Sequence, residues 1–184
     1  MFKEYLLLAS EKNQPISIYT DKDNTEKFAF GFVQGISDDC LLIASITKYG
    51  LYDGYVIKKL EDIYRLEVDD KYGKKLRKLY LLHKQKHSKI DLASKNIVCD
   101  LLQHAYKNRL IVTLELHDSN YDDLQGFVME IPSDLIVIKQ LDSYGNNDGT
   151  SMISLEDITH IACDSENEMT LKLLAENPDS SKNQ

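Results

Sequence analysis

The chain has no tryptophan, only three prolines and three cysteines in 184 residues, and no apolar run approaching the roughly 20 residues that a bilayer-spanning helix needs. Cys40, Cys99 and Cys163 are an odd set without a C-x-x-C pair, which excludes the usual zinc and redox spacings. Reduced thiols in a cytoplasmic protein are therefore expected. The P-loop, the Gly-x-Ser-x-Gly nucleophile turn and the dinucleotide fingerprint are absent as well. The opening MFKEYLLLAS carries a short apolar run behind Glu4, too brief and too acidic for a signal sequence, so neither secretion nor a membrane is expected. Basic residues are the minority: 22 Lys and Arg against 30 Asp and Glu give a net charge of -8. Such a surface repels phosphate backbones, and nucleic acid could be held only by a local basic patch.

What is present is a repeat. YGLYDGYVIKKLEDI at Tyr49 to Ile63 returns 95 positions later as YGNNDGTSMISLEDI at Tyr144 to Ile158. The same offset lays GFVQGISDDCLLI, from Gly31, on GFVMEIPSDLIVI, from Gly126. It also places Leu6 and Leu7 on Leu101 and Leu102, Lys12 and Asn13 on Lys107 and Asn108, and Ile16 on Ile111. Between Leu6 and Leu79 about a third of positions match their partners, as expected of a tandem duplication.

Each copy reads as a short helical segment followed by five strands. In the first copy the strands are expected at Ile16 to Thr20, Lys27 to Ile36, Cys40 to Ile46, Tyr55 to Lys59 and Ile63 to Val68, and the second copy follows at the same offset. The doubled motif then marks the connection between the third and fourth strands. Gly50, Gly54, Gly145 and Gly149 supply backbone angles that other residues reach only at cost, with Tyr49 and Tyr144 beside them. Asp53 and Asp148 are expected to accept backbone amides and close the turn. LEDI, with Asp62 and Asp157, reads as a single 3₁₀-like turn before the fifth strand.

A short helix, five bent strands, a glycine midway along the second strand and a 3₁₀-like turn before the fifth resemble the small barrel of Sm and Sm-like proteins, within the SH3-like class. The resemblance covers nearly all of both copies and rests on pattern. It implies a mainly β, α+β protein of two tandem five-stranded antiparallel barrels, with Gly31 and Gly126 as the bend glycines. The family is known chiefly for RNA-binding rings. Its Asp and Asn after the bend glycine fall on Ser37 and Leu41 in one copy and on Pro132 and Ile136 in the other; its Arg-Gly pair falls on Lys59-Leu60 and Ser154-Leu155. The RNA-contacting residues are thus not retained. The domains expected are a first barrel at 1–70, a basic helical linker at 71–95, a second barrel at 96–175 and a disordered tail at 176–184.

Other candidate chemistry is sparse. With Gly149 as the sixth position of a calcium loop, Tyr144 falls first and Leu155 twelfth, so both ends fail. His83 and His87 are four apart, within reach of one metal if helical, but an exposed polar helix face is the plainer expectation. Glu61, Asp62, Glu156 and Asp157 are neighbouring acids of the kind that solvate a turn, with no nucleophile nearby.

The most distinctive unrepeated feature is Lys71 to Lys89, with eight Lys or Arg and no acid. Tyr72, Leu76, Leu79, Tyr80 and His83 follow helical spacing, leaving the cations wet. Either this helix lies against acidic barrel surfaces, the preferred expectation, or Lys71, Lys74, Lys75, Arg77, Lys78, Lys84 and Lys86 form an anion-binding face. The function expected is a non-catalytic Sm-like interaction module without cofactor or metal. It would assemble through strand edges with itself, as a homo-oligomer, or with other proteins; the alternative is RNA or other nucleic acid bound by the basic helix.

Overall fold

A computed structural model describes residues 2–94, 96–117 and 124–178. Of the expected tail, residues 179–184 lie outside the described residues, as do positions 122–123 at the expected start of a second-copy strand. The chain divides into two compact units, Met1–Asp100 and Leu101–Gln184.

Unit 1 runs α1 (Lys3–Glu11), β1 (Ile16–Tyr19), β2 (Ala29–Ile36), β3 (Cys40–Ile46), β4 (Tyr52–Lys59), β5 (Arg65–Val68) and α2 (Lys71–Leu82). α3 (Ile97–Asn108) leads into unit 2, which continues with β6 (Ile111–Leu116), β7 (Leu124–Glu130), β8 (Leu135–Leu141), β9 (Asn147–Ser154), β10 (Ile158–Cys163) and α4 (Glu166–Glu176). The strand orders are β5-β1-β2-β3-β4 and β10-β6-β7-β8-β9, so the two halves share one topology. Every pairing described within a unit is antiparallel, and the protein is mainly β with helices. Among the described residues no strand pair closes either ladder into a ring.

Among the described residues two small cores hold unit 1 together, one on each side of the pleat. Leu6 and Ala9 of α1 pack with Ile16, Ile18, Val33, Leu41, Ile43, Val56 and Ile63. Because side chains alternate along a strand, Phe30 and Phe32 of β2 turn the other way and meet Ile46 with Leu76, Leu79 and Tyr80 of α2. α2 therefore belongs to the packing of unit 1, and the compact unit runs on to Asp100. In unit 2 the same arrangement places Leu171 and Ala175 of α4 against Ile111, Phe127 and Leu141.

The duplication is written in the backbone as well. Register shifts fall between Val33 and Gly35 and between Ala44 and Ile46, and again between Val128 and Glu130 and between Lys139 and Leu141. One correction is needed at the start of each copy. Ile16 pairs with Gly31 and Val68, whereas it is Val112, not Ile111, that pairs with Gly126 and Cys163. The helix-to-strand link agrees: Asn13 and Arg109 take the positive φ, and Gln14 N bonds Ala9 O as Leu110 N bonds Ala105 O. The offset is thus 96 through α1 and β1 and returns to 95 by β2, which requires one residue fewer between β6 and β7. Matching Leu6 to Leu101 and Ile16 to Ile111 by a gap-free slide was one position out.

That correction aligns two buried hydroxyls, Ser17 and Thr113. Thr113 Oγ1 donates to the buried Glu168 carboxylate and accepts from Gln125 Nε2 at 3.2 Å; the other Glu168 oxygen caps α4 by accepting from Ser165 N at 2.9 Å. In unit 1 the places of Gln125 and Glu168 are taken by Phe30 and Gly73, and the Phe30 ring lies 3.2 Å from where a Gly73 Cβ would be. An aromatic edge has replaced a polar network, and Ser17 Oγ has no partner among the described residues. Thr113→Val is expected to cost about 2 kcal/mol by stranding a buried carboxylate oxygen, while Ser17→Ala is neutral or stabilising. Urea unfolding of the two variants measures the contrast.

Candidate functional site

The repeated turn is a seat for a helix. Gly50 and Gly145 have φ of 74° and 80°, and a Cβ on Gly50 would stand 2.4 Å from Leu79 Cβ. A Cβ on Gly145 would stand 2.5 Å from Ala175 N and 2.9 Å from Leu174 Cβ. Glycine is thus demanded twice over, by the left-handed backbone and by the helix resting on it. Side chains that precede the glycines accept amides of the turn. Thr47 Oγ1 accepts from Tyr49 N and Leu51 N, and Asp142 Oδ1 accepts from Tyr144 N and Asn146 N. Asp53 and Asp148 lie inside β4 and β9, where Gly54 and Gly149 also carry positive φ. Tyr49 and Tyr144 are exposed, as are Glu61, Asp62, Glu156 and Asp157, so these acids solvate a turn.

α2 presents the cations. Asp70 caps it by accepting from Tyr72 N and Gly73 N, both at 3.1 Å, and Leu76 and Tyr80 anchor its inner face. Lys71, Lys74, Lys75, Arg77 and Lys78 are all exposed, with Lys74 meeting Asp69 at 3.1 Å. On the outer face Lys74, Arg77, Lys78, Leu81 and Leu82, which follow helical spacing, line an open hollow of about 470 Å³. Leu81 and Leu82 are 65% and 67% exposed.

The helix stops at Leu82, earlier than the spacing implied. Lys84 takes a φ of 54°, its N bonds Leu81 O, and Gln85 N reaches back to Tyr80 O. This is a Schellman closure without glycine. His83 and His87 therefore do not share a helix face. The chain reverses and runs as a strap along β4: Gln85 Oε1 accepts from Tyr52 N at 2.9 Å and Tyr55 OH donates to Ser88 O at 2.8 Å. His87 is stacked on Tyr52 at 4.4 Å between ring centroids and on Tyr80 at 5.7 Å. Its Nε2 lies 3.1 Å from Gly54 O, which can only accept, so Nε2 carries the proton; Nδ1 then accepts from Tyr80 OH at 2.9 Å. Burial drives its pKa down to about 4, against the pull of the Gly54 and Ser45 carbonyls. Lys84 and Lys86 remain exposed on this strap.

Unit 2 differs at the corresponding strand. β4 buries Gly54, Tyr55, Val56 and Ile57, but β9 is exposed from Asn147 to Thr150 and Met152 is 75% exposed. Among the described residues β9 pairs only with β8, and β5 only with β1.

Little else suits chemistry. All three thiols are free, and burial pushes Cys40 up to about 11 and Cys163 well above the ordinary range, which leaves both weak nucleophiles at neutral pH. Among the described residues no three His, Cys, Asp or Glu side chains gather as metal ligands, and no helix is long and apolar enough to cross a membrane. Leu41 and Ile136, where the resemblance puts an RNA-contacting residue, are wholly buried in the core. Compared with known protein families, characterised proteins and solved structures, the chain matches none.

Proposed function

We propose that the chain is a non-catalytic, self-assembling module made of two Sm-like barrels of the SH3-like class, joined to further copies through strand edges. Support for the barrel reading is the shared strand order, the helix preceding each first strand, and the bend glycines. A Cβ on Gly31 or Gly126 would lie 2.1 Å from a β3 or β8 carbonyl oxygen. The observation that carries assembly is the uncovered length of β9. Leu155 N donates to Asp134 O, so by the two-residue alternation of an antiparallel ladder the N–H groups of Ile153 and Ser151 face β8, and those of Met152 and Thr150 face away. An outward row of amides and carbonyls is a template for another strand. The complementary edge is β5, and a β9-to-β5 contact between copies is heterologous, which builds a ring if the rotation closes and a filament if it does not.

Proline tests this without disturbing the β8 ladder, because Thr150→Pro and Met152→Pro remove only outward N–H groups. The double variant is expected to fall towards the mass of one 21.1 kDa chain. Unchanged assembly by light scattering would contradict the strand-edge reading.

The exposed cations of α2 support the alternative, RNA or DNA binding. It requires binding that drops steeply with salt and is lost when Lys74, Lys75, Arg77 and Lys78 become Glu. The leucines set among those cations favour a protein partner instead.

A further inference from the structure

We infer that the sheet face of unit 2 formed by Glu130, Val137, Lys139, Thr150 and Met152 is a two-fold contact between copies of this chain. The inference rests on the self-assembly proposed above but uses a face of the sheet and not its edge. From β2 onward the two halves align at an offset of 95, so these five residues stand where unit 1 has Gly35, Leu42, Ala44, Tyr55 and Ile57. In unit 1 the chain after α2 covers that face. Leu42, Ala44, Tyr55 and Ile57 are at most 3% exposed, and a Cβ on Gly35 would stand 2.7 Å from Leu92 Cδ1. In unit 2 the same rows are open: Met152 is 75% exposed, Glu130, Lys139 and Thr150 are exposed, and Val137 is half-buried.

The substitutions select the cover that unit 2 takes. A close-lying strap needs glycine at Gly35 and a small residue at Ala44, and unit 2 puts a carboxylate and an ammonium there, Glu130 and Lys139. Tyr55, whose hydroxyl donates to Ser88 O, and Tyr52, which stacks on His87, give way to Thr150 and Asn147. Such a face rejects a copy of the unit 1 strap, but it is complementary to itself. The ladder sets Glu130, Val137 and Met152 in one row across three strands, with Lys139 and Thr150 in the next. Among the described residues neither Glu130 nor Lys139 has an ion-pair partner. With strands about 4.8 Å apart and alternate residues about 6.6 Å apart, a two-fold axis that sets Glu130 on Lys139 of a second copy passes within about 2 Å of both Val137 and Met152. One operation therefore makes two ion pairs and closes Val137 and Met152 on their own counterparts. A partner of a single charge sign, nucleic acid included, would meet one of the two charges with repulsion.

The test is a pair of single reversals in the full chain, Glu130→Lys and Lys139→Glu, read by sedimentation equilibrium at 50 mM salt, each alone and then mixed. Each alone sets like charges against each other twice and is expected to weaken self-association about tenfold. Mixed in equal amounts, the two restore opposite charges at both ends of the contact, and the mixture is expected to associate about as well as the parent. An ion pair confined to one copy cannot produce that recovery, because neither variant regains its lost partner within its own chain. Circular dichroism checks that both variants keep the fold. The inference is overturned if neither reversal weakens self-association, which leaves the face to a different partner, or if the mixture stays as weak as the variants alone. Neither residue lies on β9, so the strand-edge reading is judged separately. β9 prolines that leave assembly whole, beside reversals that weaken it and mix back, sink that reading and keep this one; prolines that dissolve it, beside reversals without effect, do the opposite. A parent chain that stays monomeric overturns both.

Discussion

Gly31→Val is expected to abolish the cooperative folding of unit 1. A Cβ at this position would sit 2.1 Å from Ala44 O and 2.8 Å from Ile43 Cγ2, and that carbonyl belongs to the β2–β3 ladder, where Gly31 lies opposite Ser45. The oxygen cannot retreat without breaking the pairing that bends the sheet. Overpacking against fixed backbone costs about 3 kcal/mol or more, a large share of the roughly 5–15 kcal/mol that holds an ordinary domain together. Gly126→Val should act alike in unit 2, where Lys139 O is also 2.1 Å away. Gly149→Ala provides the contrast, since nothing lies within 4 Å of its Cβ and only the φ of 97° is strained. A cost near 1 kcal/mol is expected there. Thermal unfolding with hydrogen exchange separates the cases; a Gly31→Val protein melting within a few degrees of the parent would contradict the packing described.

Acid is expected to loosen unit 1 through His87. Its pKa falls from 6.5 unfolded to about 4 folded, chiefly by burial among Tyr52, Tyr55 and Tyr80. Between those values the unfolded chain binds more protons than the native one, so stability is complete above about pH 6.5 and declines as pH falls towards 4. Allowing for partial solvent screening, the loss attributable to this ring is about 2 kcal/mol. His87→Phe keeps an aromatic ring on Tyr52 but cannot titrate. Its stability should fall less steeply between pH 6.5 and 4 than the parent's, whatever its value at pH 7 after losing the bonds to Tyr80 and Gly54. Parallel slopes would show that His87 is not the buried neutral ring described.

Strand positions were legible because apolar residues alternate between clear turn signals, and the repeat announced that both halves share one topology. What escaped was local. A slide without gaps cannot register that the second copy has one residue fewer between its first two strands, a difference that the pairing of Val112 with Gly126 reveals. The amide acceptors Thr47 and Asp142 escaped because they are two residue types with the same capacity and no identity to notice. The end of α2 was misjudged because Lys84 takes a left-handed turn that sequence marks only when glycine or asparagine stands there. With the helix extended in error, His87 read as surface, and the strap over β4 stayed hidden. Its one sequence hint is the apolar Ile90 after a long polar run, a residue that is 2% exposed. The exposure of β9 was equally unreadable, because strands that repeat in sequence need not repeat in what covers them.

Sedimentation velocity of the unmodified chain, from about 1 to 100 μM, tests self-assembly most directly. The account predicts species well above 21.1 kDa whose proportion grows with concentration. A single boundary at the mass of one chain across that whole range would contradict it.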